Sequence, residues 1–286
     1  MDERQRLVRF RSVFLSDIHL GCRYSQAEPL LALLNAIQPD YLYLVGDIID
    51  GWRLKQRWHW RPIYSCILSR LLELGKTGTQ VRLTPGNHDA FLRDFAHDFG
   101  FLEIADTFLH ETADGRQFLV LHGDRFDDVE LRAQWLSYIG SFAYDSLIWL
   151  NGQVNGVRGI LRLEPRHFTA HIKQRVKQAV TFMSRFEQRL AEVARKADCD
   201  GVICGHIHAP LMTENQGLSY FNTGDWIEHR SVLVERDDGT MDLLHMPSSS
   251  AEIAQLMSDD LPHSEHQTFG HSRGRANLLT AMIGAS

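Results

Sequence analysis

The sequence has few cysteines, and their spacing excludes the common cysteine-based sites. Four occur among 286 residues, at Cys22, Cys66, Cys199 and Cys204. No two follow the C-x-x-C spacing, which argues against a zinc ribbon and against a thioredoxin-like redox motif. Unpaired thiols are typical of proteins in a reducing cytosol.

Long apolar segments are also missing. No run approaches the roughly 20 apolar residues that a bilayer-spanning helix needs. The opening stretch MDERQRLVRF lacks the apolar segment of a secretion signal. We therefore expect a cytoplasmic protein that is soluble or peripheral to the inner face of the cytoplasmic membrane.

A basic excess is absent as well. Lys and Arg total 30 against 36 Asp and Glu, a net charge of -6. Because nucleic-acid binding depends on a basic surface that displaces counterions, we expect no nucleic-acid partner. The sequence does not indicate an oligomeric state.

Apolar runs and helical periodicities alternate along much of the chain. Helical spacing predicts helices at 26–37 and 63–74, the second ending with Gly75 as its C-cap. Strand patterns fall at 8–16, 41–45, 80–84, 116–122, 200–205, 219–223, 230–236 and 241–246. This order predicts an α/β fold with a mixed sheet, or two sheets packed face to face with helices outside.

Residues 129–197 have no strand pattern, and we interpret them as a helical insertion. The stretch from Trp135 to Leu150 is apolar all round. It predicts either a helix buried inside the insertion or an apolar wall for acyl chains or a membrane surface. The basic helix pattern from Phe168 to Ala197 is a solvated face or a contact for anionic groups. Residues 247–286 are predicted to be a flexible tail with one short amphipathic stretch.

Histidine, aspartate and asparagine cluster where predicted strands end. The clusters are Asp17-x-His19, Gly46-Asp47-x-x-Asp50, Gly86-Asn87-His88-Asp89, His122-Gly123-Asp124 and Gly205-His206-x-His208. One such cluster is as easily explained by a turn, because Gly, Asn and Asp favour turns. Five of them at strand ends predict a shared crevice, since open α/β sheets bind ligands at the carboxyl ends of their strands.

These residue types suit two divalent cations. The two oxygens of Asp47 could each bind one ion, and Asn87 offers a neutral oxygen. Imidazole suits Zn, Fe and Mn, whereas carboxylates suit Mn and Mg. We expect Mn²⁺ as the first choice, with Fe, Zn²⁺ or Mg²⁺ as alternatives.

Taken together, the five clusters resemble the calcineurin-like metallophosphoesterases over a domain of residues 8–246. The resemblance implies a four-layer α-β-β-α sandwich with a dinuclear metal site. It implies that one ion is held by Asp17, His19, Asp47 and His208, and the other by Asp47, Asn87, His122 and His206. It also implies that His88 contacts the phosphoryl group. Asp89 then orients His88, or serves as a turn or N-cap residue.

Within this family, the sequence is most similar to the UDP-2,3-diacylglucosamine pyrophosphatase group of lipid A synthesis. The motifs S-D-I-H-L-G, G-D-I-I-D-G-W and F-N-T-G-D-W carry this similarity, together with the insertion. It implies a phosphorylated or nucleotide-sugar lipid as substrate. His88 stands where the best-known members of that group carry arginine. The alternatives are therefore a general phosphodiesterase or phosphatase on a soluble substrate, and a silent metal-binding interaction module.

Candidates for substrate contact flank the predicted metal site. An aromatic–basic cluster directly after the Asp47 motif contacts substrate or forms a packed loop; it comprises Trp52, Arg53, Arg57, Trp58 and Trp60. Asp50 holds either a metal-binding histidine or a substrate group. Trp135 and Tyr138 of the insertion are further candidates for substrate contact.

Overall fold

The structure is a computed structural model that describes residues 7–126 and 169–258, with side chains at 7–126 and 183–257. The chain divides into two compact units. The first comprises Met1–His122 with Ala194–Ser286, and the second comprises Gly123–Val193. No helix among the described residues is long and apolar enough to cross a membrane.

Two β-sheets form the first unit. The strands are β1 (Ser12–Leu15), β2 (Tyr41–Val45), β3 (Gln80–Thr84), β4 (Glu103–Ile104), β5 (Phe108–Glu111), β6 (Gln117–Val120), β7 (Gly201–Cys204), β8 (Leu211–Asn215), β9 (Leu218–Asn222), β10 (Ser231–Glu235) and β11 (Met241–His245). Within the described chain, six strands form one sheet in the order β11-β10-β1-β2-β3-β4, and five form the other in the order β5-β6-β7-β9-β8. β1, β2 and β3 are parallel neighbours, as are β6, β7 and β9.

The two sheets pack face to face through buried aromatic and branched side chains. The larger sheet contributes Phe14, Tyr43, Val45 and Leu233, and the smaller contributes Phe118, Val120, Ile203 and Phe221. The rings of Phe14 and Tyr43 stack with centroids 4.7 Å apart. The structure therefore confirms the two-sheet alternative of the predicted fold class.

Helices cover the outer face of the larger sheet. The described helices are α1 (Ala27–Ala36), α2 (Gly51–Gln56), α3 (Pro62–Lys76), α4 (Thr169–Lys196) and α5 (Ser250–Ser258). Leu30 of α1, Leu71 of α3 and Ile253 of α5 join one buried core with the strands beneath them. A helical, a β and a second β layer are thus described, and the outer helical layer beside the smaller sheet stays a prediction.

Several predicted boundaries differ from the structure: β1 is Ser12–Leu15 where 8–16 was predicted, and two further differences have a physical explanation. α3 continues through Gly75 to Lys76, so Gly75 is not its C-cap. A side chain at position 75 would overlap the carbonyl oxygen of Phe101, and the glycine therefore allows close packing there. The predicted flexible tail began at residue 247, yet α5 is a helix whose Ile253 and Met257 are buried. The remainder of that predicted tail, 259–286, lies outside the described residues.

The second unit contains most of α4 and a short 3-10 helix at Asp124–Phe126. The Arg189 guanidinium donates a hydrogen bond to the Phe126 carbonyl oxygen at 3.0 Å. The predicted helix at the end of the insertion is confirmed over Thr169–Lys196. The predicted apolar wall from Trp135 to Leu150 lies outside the described residues.

Candidate metal centre

The loops that follow β1, β2 and β7 have an unusual backbone. Positive φ angles near the left-handed region occur at Asp17 (52°), His19 (51°), Asp47 (54°), His206 (72°) and His208 (52°). Residues with a β-carbon adopt this conformation at a cost, and they cluster at functional sites where the surroundings enforce it. Five of the seven residues predicted as metal ligands share this feature.

Asp47 lies at the centre of these loops and is fully buried. Its Oδ1 accepts a hydrogen bond from the His88 backbone N–H at 2.8 Å. Its buried Oδ2 accepts none from the described residues. Around Oδ2 lie the Nε2 atoms of His122 at 3.5 Å, His19 at 3.9 Å and His88 at 4.0 Å. A carboxylate oxygen and imidazole nitrogens converge here at distances too long for hydrogen bonds, as donors around a cation would.

A second set of donors surrounds Asp17. Its Oδ1 lies 3.1 Å from His208 Nε2 and 3.8 Å from His19 Nε2, and the two histidine nitrogens are 3.4 Å apart. Its Oδ2 accepts the backbone N–H of His206 at 2.9 Å. Burial opposes a charge on His208, but the Asp17 carboxylate raises the pKa of His208 to about 9. This pocket therefore favours positive charge, which a divalent cation would supply.

The remaining predicted ligands lie beside these two sets. Asn87 carries a buried Oδ1 with no hydrogen-bond partner in the described part of the chain. The preceding Gly86 touches Asp47 and His122, because a β-carbon there would come within 2.7 Å of His122 Nε2. The His206 ring lies 5.1 Å from the His122 ring, centroid to centroid. The structure thus brings the seven predicted ligands together at the strand ends, and these donor types fit divalent cations.

Backbone and carboxylate groups fix how the rings point. His122 Nδ1 lies 2.8 Å from the Val45 carbonyl oxygen, so it donates there and leaves the Nε2 lone pair facing Asp47. Asp50 Oδ1 lies 3.0 Å from His88 Nδ1, and Asp50 Oδ2 lies 3.6 Å from His19 Nδ1. Holding the rings in this way leaves their opposite nitrogens aimed at Asp47.

Asp50 differs from one of its predicted roles. It is 1% exposed, and its side chain also caps α2 by accepting the Arg53 backbone N–H at 3.0 Å. Although burial favours the neutral acid, the contacts with His19 and His88 hold the pKa of Asp50 well below its usual range. Its oxygens face protein groups, so Asp50 positions two histidines and does not reach substrate.

Asp89 fits only one of its two predicted roles. Its carboxylate accepts backbone N–H groups from Gly86 at 2.6 Å and Ile48 at 2.7 Å, with Asp47 and Ile49 at 3.3 Å. Burial and the nearby Asp47 charge raise the pKa of Asp89 to about 6, while these donors favour its ionised form. Asp89 therefore ties the β3 loop to the β2 loop, which fits the turn alternative of its predicted roles. Asp50 occupies the ring-orienting position that was the other alternative for Asp89.

Asp225 was not among the predicted site residues, although it belongs to the F-N-T-G-D-W motif. Asp225 is fully buried, and its Oδ1 accepts the backbone N–H groups of Ile227 and Glu228. Its Oδ2 lies 2.6 Å from His229 Nδ1 and 3.9 Å from His208 Nδ1. It therefore stands behind His208, on the side away from Asp17. The available signal was a third Gly-Asp pair shortly after a predicted strand, following those at Gly46-Asp47 and Gly123-Asp124.

Of the predicted substrate-contacting residues, some lie beside the candidate metal centre, one lies further along α2, and two lie outside the described residues. The Trp52 ring is half exposed and lies 4.2 Å from the His88 ring, and Arg53 Nε lies 3.2 Å from Asp50 Oδ2. Arg57 is exposed at the end of α2. Trp135 and Tyr138 lie outside the described residues.

A family model described as calcineurin-like phosphoesterase matches residues 10–210. The chain belongs to this family. The predicted family is thereby confirmed, and so is the prediction of a phosphoester hydrolase.

Curated relatives of this phosphoesterase include two named UDP-2,3-diacylglucosamine hydrolase. The protein from Photorhabdus laumondii is 24% identical over 249 residues, which cover 82% of this chain and 99% of the relative. The protein from Vibrio cholerae is 24% identical over 241 residues, or 78% and 93% of the two chains. A solved archaeal phosphodiesterase structure is 14% identical with a TM-score of 0.40, and covers 82% of this chain and 98% of that one.

Proposed function

We propose that this phosphoesterase uses two divalent cations to hydrolyse a pyrophosphate or phosphoester bond in a UDP-2,3-diacylglucosamine-like lipid of lipid A synthesis. The observation that carries the metal-dependent part is the environment of Asp47 Oδ2. This buried carboxylate oxygen has no hydrogen bond in the described chain, and the imidazole nitrogens of two other predicted ligands, His122 and His19, lie 3.5 Å and 3.9 Å from it. The names of the relatives support the lipid substrate.

In this proposal Asp47 serves both ions. Asp17, His19 and His208 complete one site, and the second is completed by Asn87, His122 and His206. When bound, a pair of divalent cations supplies Lewis acidity and acidifies water for attack on phosphorus. Mn²⁺ is our first choice, with Fe, Zn²⁺ and Mg²⁺ as alternatives that the donor set also accommodates.

His88 is the proposed contact for the phosphoryl group. Its side chain is 10% exposed, and its Nε2 has no hydrogen-bond partner among the described residues. Asp50 Oδ1 lies 3.0 Å from Nδ1 and holds the ring in place, and in the proposal Nε2 donates a hydrogen bond to a phosphoryl oxygen. The stacked Trp52 ring limits how far the imidazole can turn. His88 would therefore stabilise negative charge and assist the leaving group.

Trp52, Arg53 and Arg57 are the proposed substrate contacts of the first unit. Trp52 covers His88, and Arg53 adds positive charge beside Asp50. A lipid substrate also implies peripheral contact with a membrane, which we place at the inner face of the cytoplasmic membrane. Trp135 and Tyr138 stay candidates for acyl-chain contact.

The deciding experiment compares two substrates. The Mn²⁺-loaded protein should hydrolyse detergent-solubilised UDP-2,3-diacylglucosamine, and the reaction is measured by the UMP that it releases. It should also cleave bis(p-nitrophenyl) phosphate more slowly. Cleavage of the soluble diester without cleavage of the lipid would support the general phosphodiesterase alternative, which the histidine at position 88 favours. Metal binding without either activity would identify a silent interaction module.

A further inference from the structure

The segment after the Asp47 motif is the most one-sided in charge of the first unit. No Asp or Glu occurs between Asp50 and Glu73, although the chain as a whole carries a net charge of -6. Five basic residues fall in this stretch: Arg53, Lys55, Arg57, Arg61 and Arg70. A local excess of positive charge on an acidic protein points to an anionic partner.

Three of these five cations are already neutralised. Arg53 pairs with Asp50, Arg61 with Glu28, and Arg70 with Glu73. Lys55 and Arg57 are exposed and form no ion pair with the described residues. The unpaired charge is thus concentrated within α2 and the residue that ends it.

An exposed tryptophan adjoins these two cations. Trp58 is 73% exposed, more than any other large hydrophobic side chain that the structure describes. Its ring stacks on Trp60 with centroids 5.9 Å apart, and Trp60 Nε1 donates to Ser65 Oγ at 2.9 Å. Trp58 therefore packs against Trp60 while most of its side chain is exposed to solvent.

We propose that Lys55, Arg57 and Trp58 form a docking surface for an anionic lipid bilayer. Tryptophan favours the headgroup level of a membrane, and nearby Lys and Arg are attracted to anionic headgroups. The surface is continuous with the candidate metal centre, because α2 begins at the cap residue Asp50 and its Trp52 packs on His88. Docking there would present His88 to a substrate at the membrane surface, a consequence that rests on the proposed lipid substrate.

Vesicle sedimentation with the full chain tests this surface without any turnover. Vesicles that mix phosphatidylglycerol with phosphatidylcholine should pull down the protein, and pure phosphatidylcholine vesicles should retain much less. Added salt should weaken the binding, because it screens charges separated by more than a Debye length. Equal binding to both kinds of vesicle would overturn the electrostatic part of the proposal.

Single substitutions with matched controls locate the surface. Lys55→Glu should weaken binding to the anionic vesicles about tenfold, since each basic residue near such a surface contributes a several-fold factor. Lys76→Glu makes the same charge change at the other end of α3, about 20 Å from Pro62, and should leave binding unchanged. Trp58→Ala should weaken binding about fivefold, whereas Phe95→Ala, which removes a ring that is 58% exposed, should not.

Cleavage of bis(p-nitrophenyl) phosphate by Lys55→Glu should match the wild type, and the circular dichroism spectrum of Trp58→Ala should match it too. These two measurements verify that the variants fold. The docking surface is wrong if neither variant binds anionic vesicles more weakly than its control. It is also wrong if Lys55→Glu raises KM for the lipid in detergent while vesicle binding is unchanged, because the cation would then contact substrate. Vesicle binding without lipid hydrolysis would instead remove the proposed substrate and leave the docking surface in place.

Discussion

Two buried clusters of carboxylates and imidazoles lie at opposite ends of β1, and they differ in how completely their polar atoms are paired. At the start of β1, Glu235 accepts hydrogen bonds from Ser12 Oγ at 2.5 Å and from Arg11 at 2.7 Å, and lies 2.8 Å from His110. His110 Nδ1 in turn lies 3.0 Å from the Tyr43 hydroxyl. After the other end of β1, Asp17 and Asp47 face His19 Nε2 at 3.8 Å and 3.9 Å, distances too long for hydrogen bonds.

This difference separates a structural cluster from a binding site. Buried charges are tolerated when their partners are in place, as they are around Glu235. Around Asp47 the same residue types leave a shared space, which costs stability unless a cation enters it. Whether the buried polar atoms have hydrogen-bond partners is therefore a better guide to function here than the presence of Asp and His alone.

The largest effect on turnover is expected from Asp47→Asn. The substitution removes the negative charge of the carboxylate that faces three imidazoles, so it should weaken metal binding. Metal content, measured by inductively coupled plasma mass spectrometry, should therefore fall together with turnover. The loss of turnover should exceed the about 10–100-fold cost of deleting an outer partner of a metal ligand. Metal content and turnover equal to wild type would contradict the assignment of Asp47 as a ligand.

His88→Ala should come next, with a loss of about 10²–10³-fold in kcat and metal content retained. The reason is that His88 contacts the phosphoryl group in the proposal and holds no ion. Metal loss in His88→Ala would show that His88 is itself a ligand.

Asp50→Asn keeps the shape of the side chain but weakens its hydrogen bond to the His88 ring. We expect it to lower kcat about 10–100-fold.

Asp225→Asn should act on metal affinity, because Asp225 stands behind His208. Although Asp225 is buried, its pKa is held below the usual range by the hydrogen bond with His229 and the charge of His208. We expect the apparent Kd for Mn²⁺ to rise about tenfold, with kcat at saturating metal nearly unchanged. An unaltered Kd by calorimetry would mean that the 3.9 Å approach to His208 has no energetic role.

Glu235→Gln should affect turnover least and stability most. Although burial favours the neutral acid, His110 and Ser12 lower the pKa of Glu235 below 4.5. A lowered folded-state pKa stabilises the protein above the unfolded pKa, and the contribution is lost as pH falls through the folded value. Wild type should therefore lose more unfolding free energy than the variant on acidification below about pH 4.5. Parallel pH profiles in denaturant titrations would contradict this role.

Much of the fold could be read from the sequence, because the buried strands are short continuous apolar runs. β2 and β3 match their predicted bounds to the residue. β4 has only two residues, and β8 is half exposed with no clear alternation of burial, so neither carries a pattern that periodicity can detect. α2 was missed since its sequence, GWRLKQ, is a single short basic turn with one buried residue.

The candidate ligands could also be predicted, because their side chains follow strands that run parallel. The division of roles between Asp50 and Asp89 could not. Both aspartates stand near His88 in sequence or space, and only the folded loops decide which carboxylate faces the ring and which faces backbone N–H groups. Asp225 was overlooked for the related reason that its partner His208 is distant in the chain.

The left-handed backbone at Asp17, His19, Asp47, His206 and His208 has a consequence for how this chain tolerates mutation. Each of these positions costs about 1–2 kcal/mol relative to a right-handed conformation, and glycine would relieve the cost. Glycine would at the same time delete a candidate ligand. A screen that selects for heat resistance alone would therefore favour losing the very side chains on which the proposed activity depends.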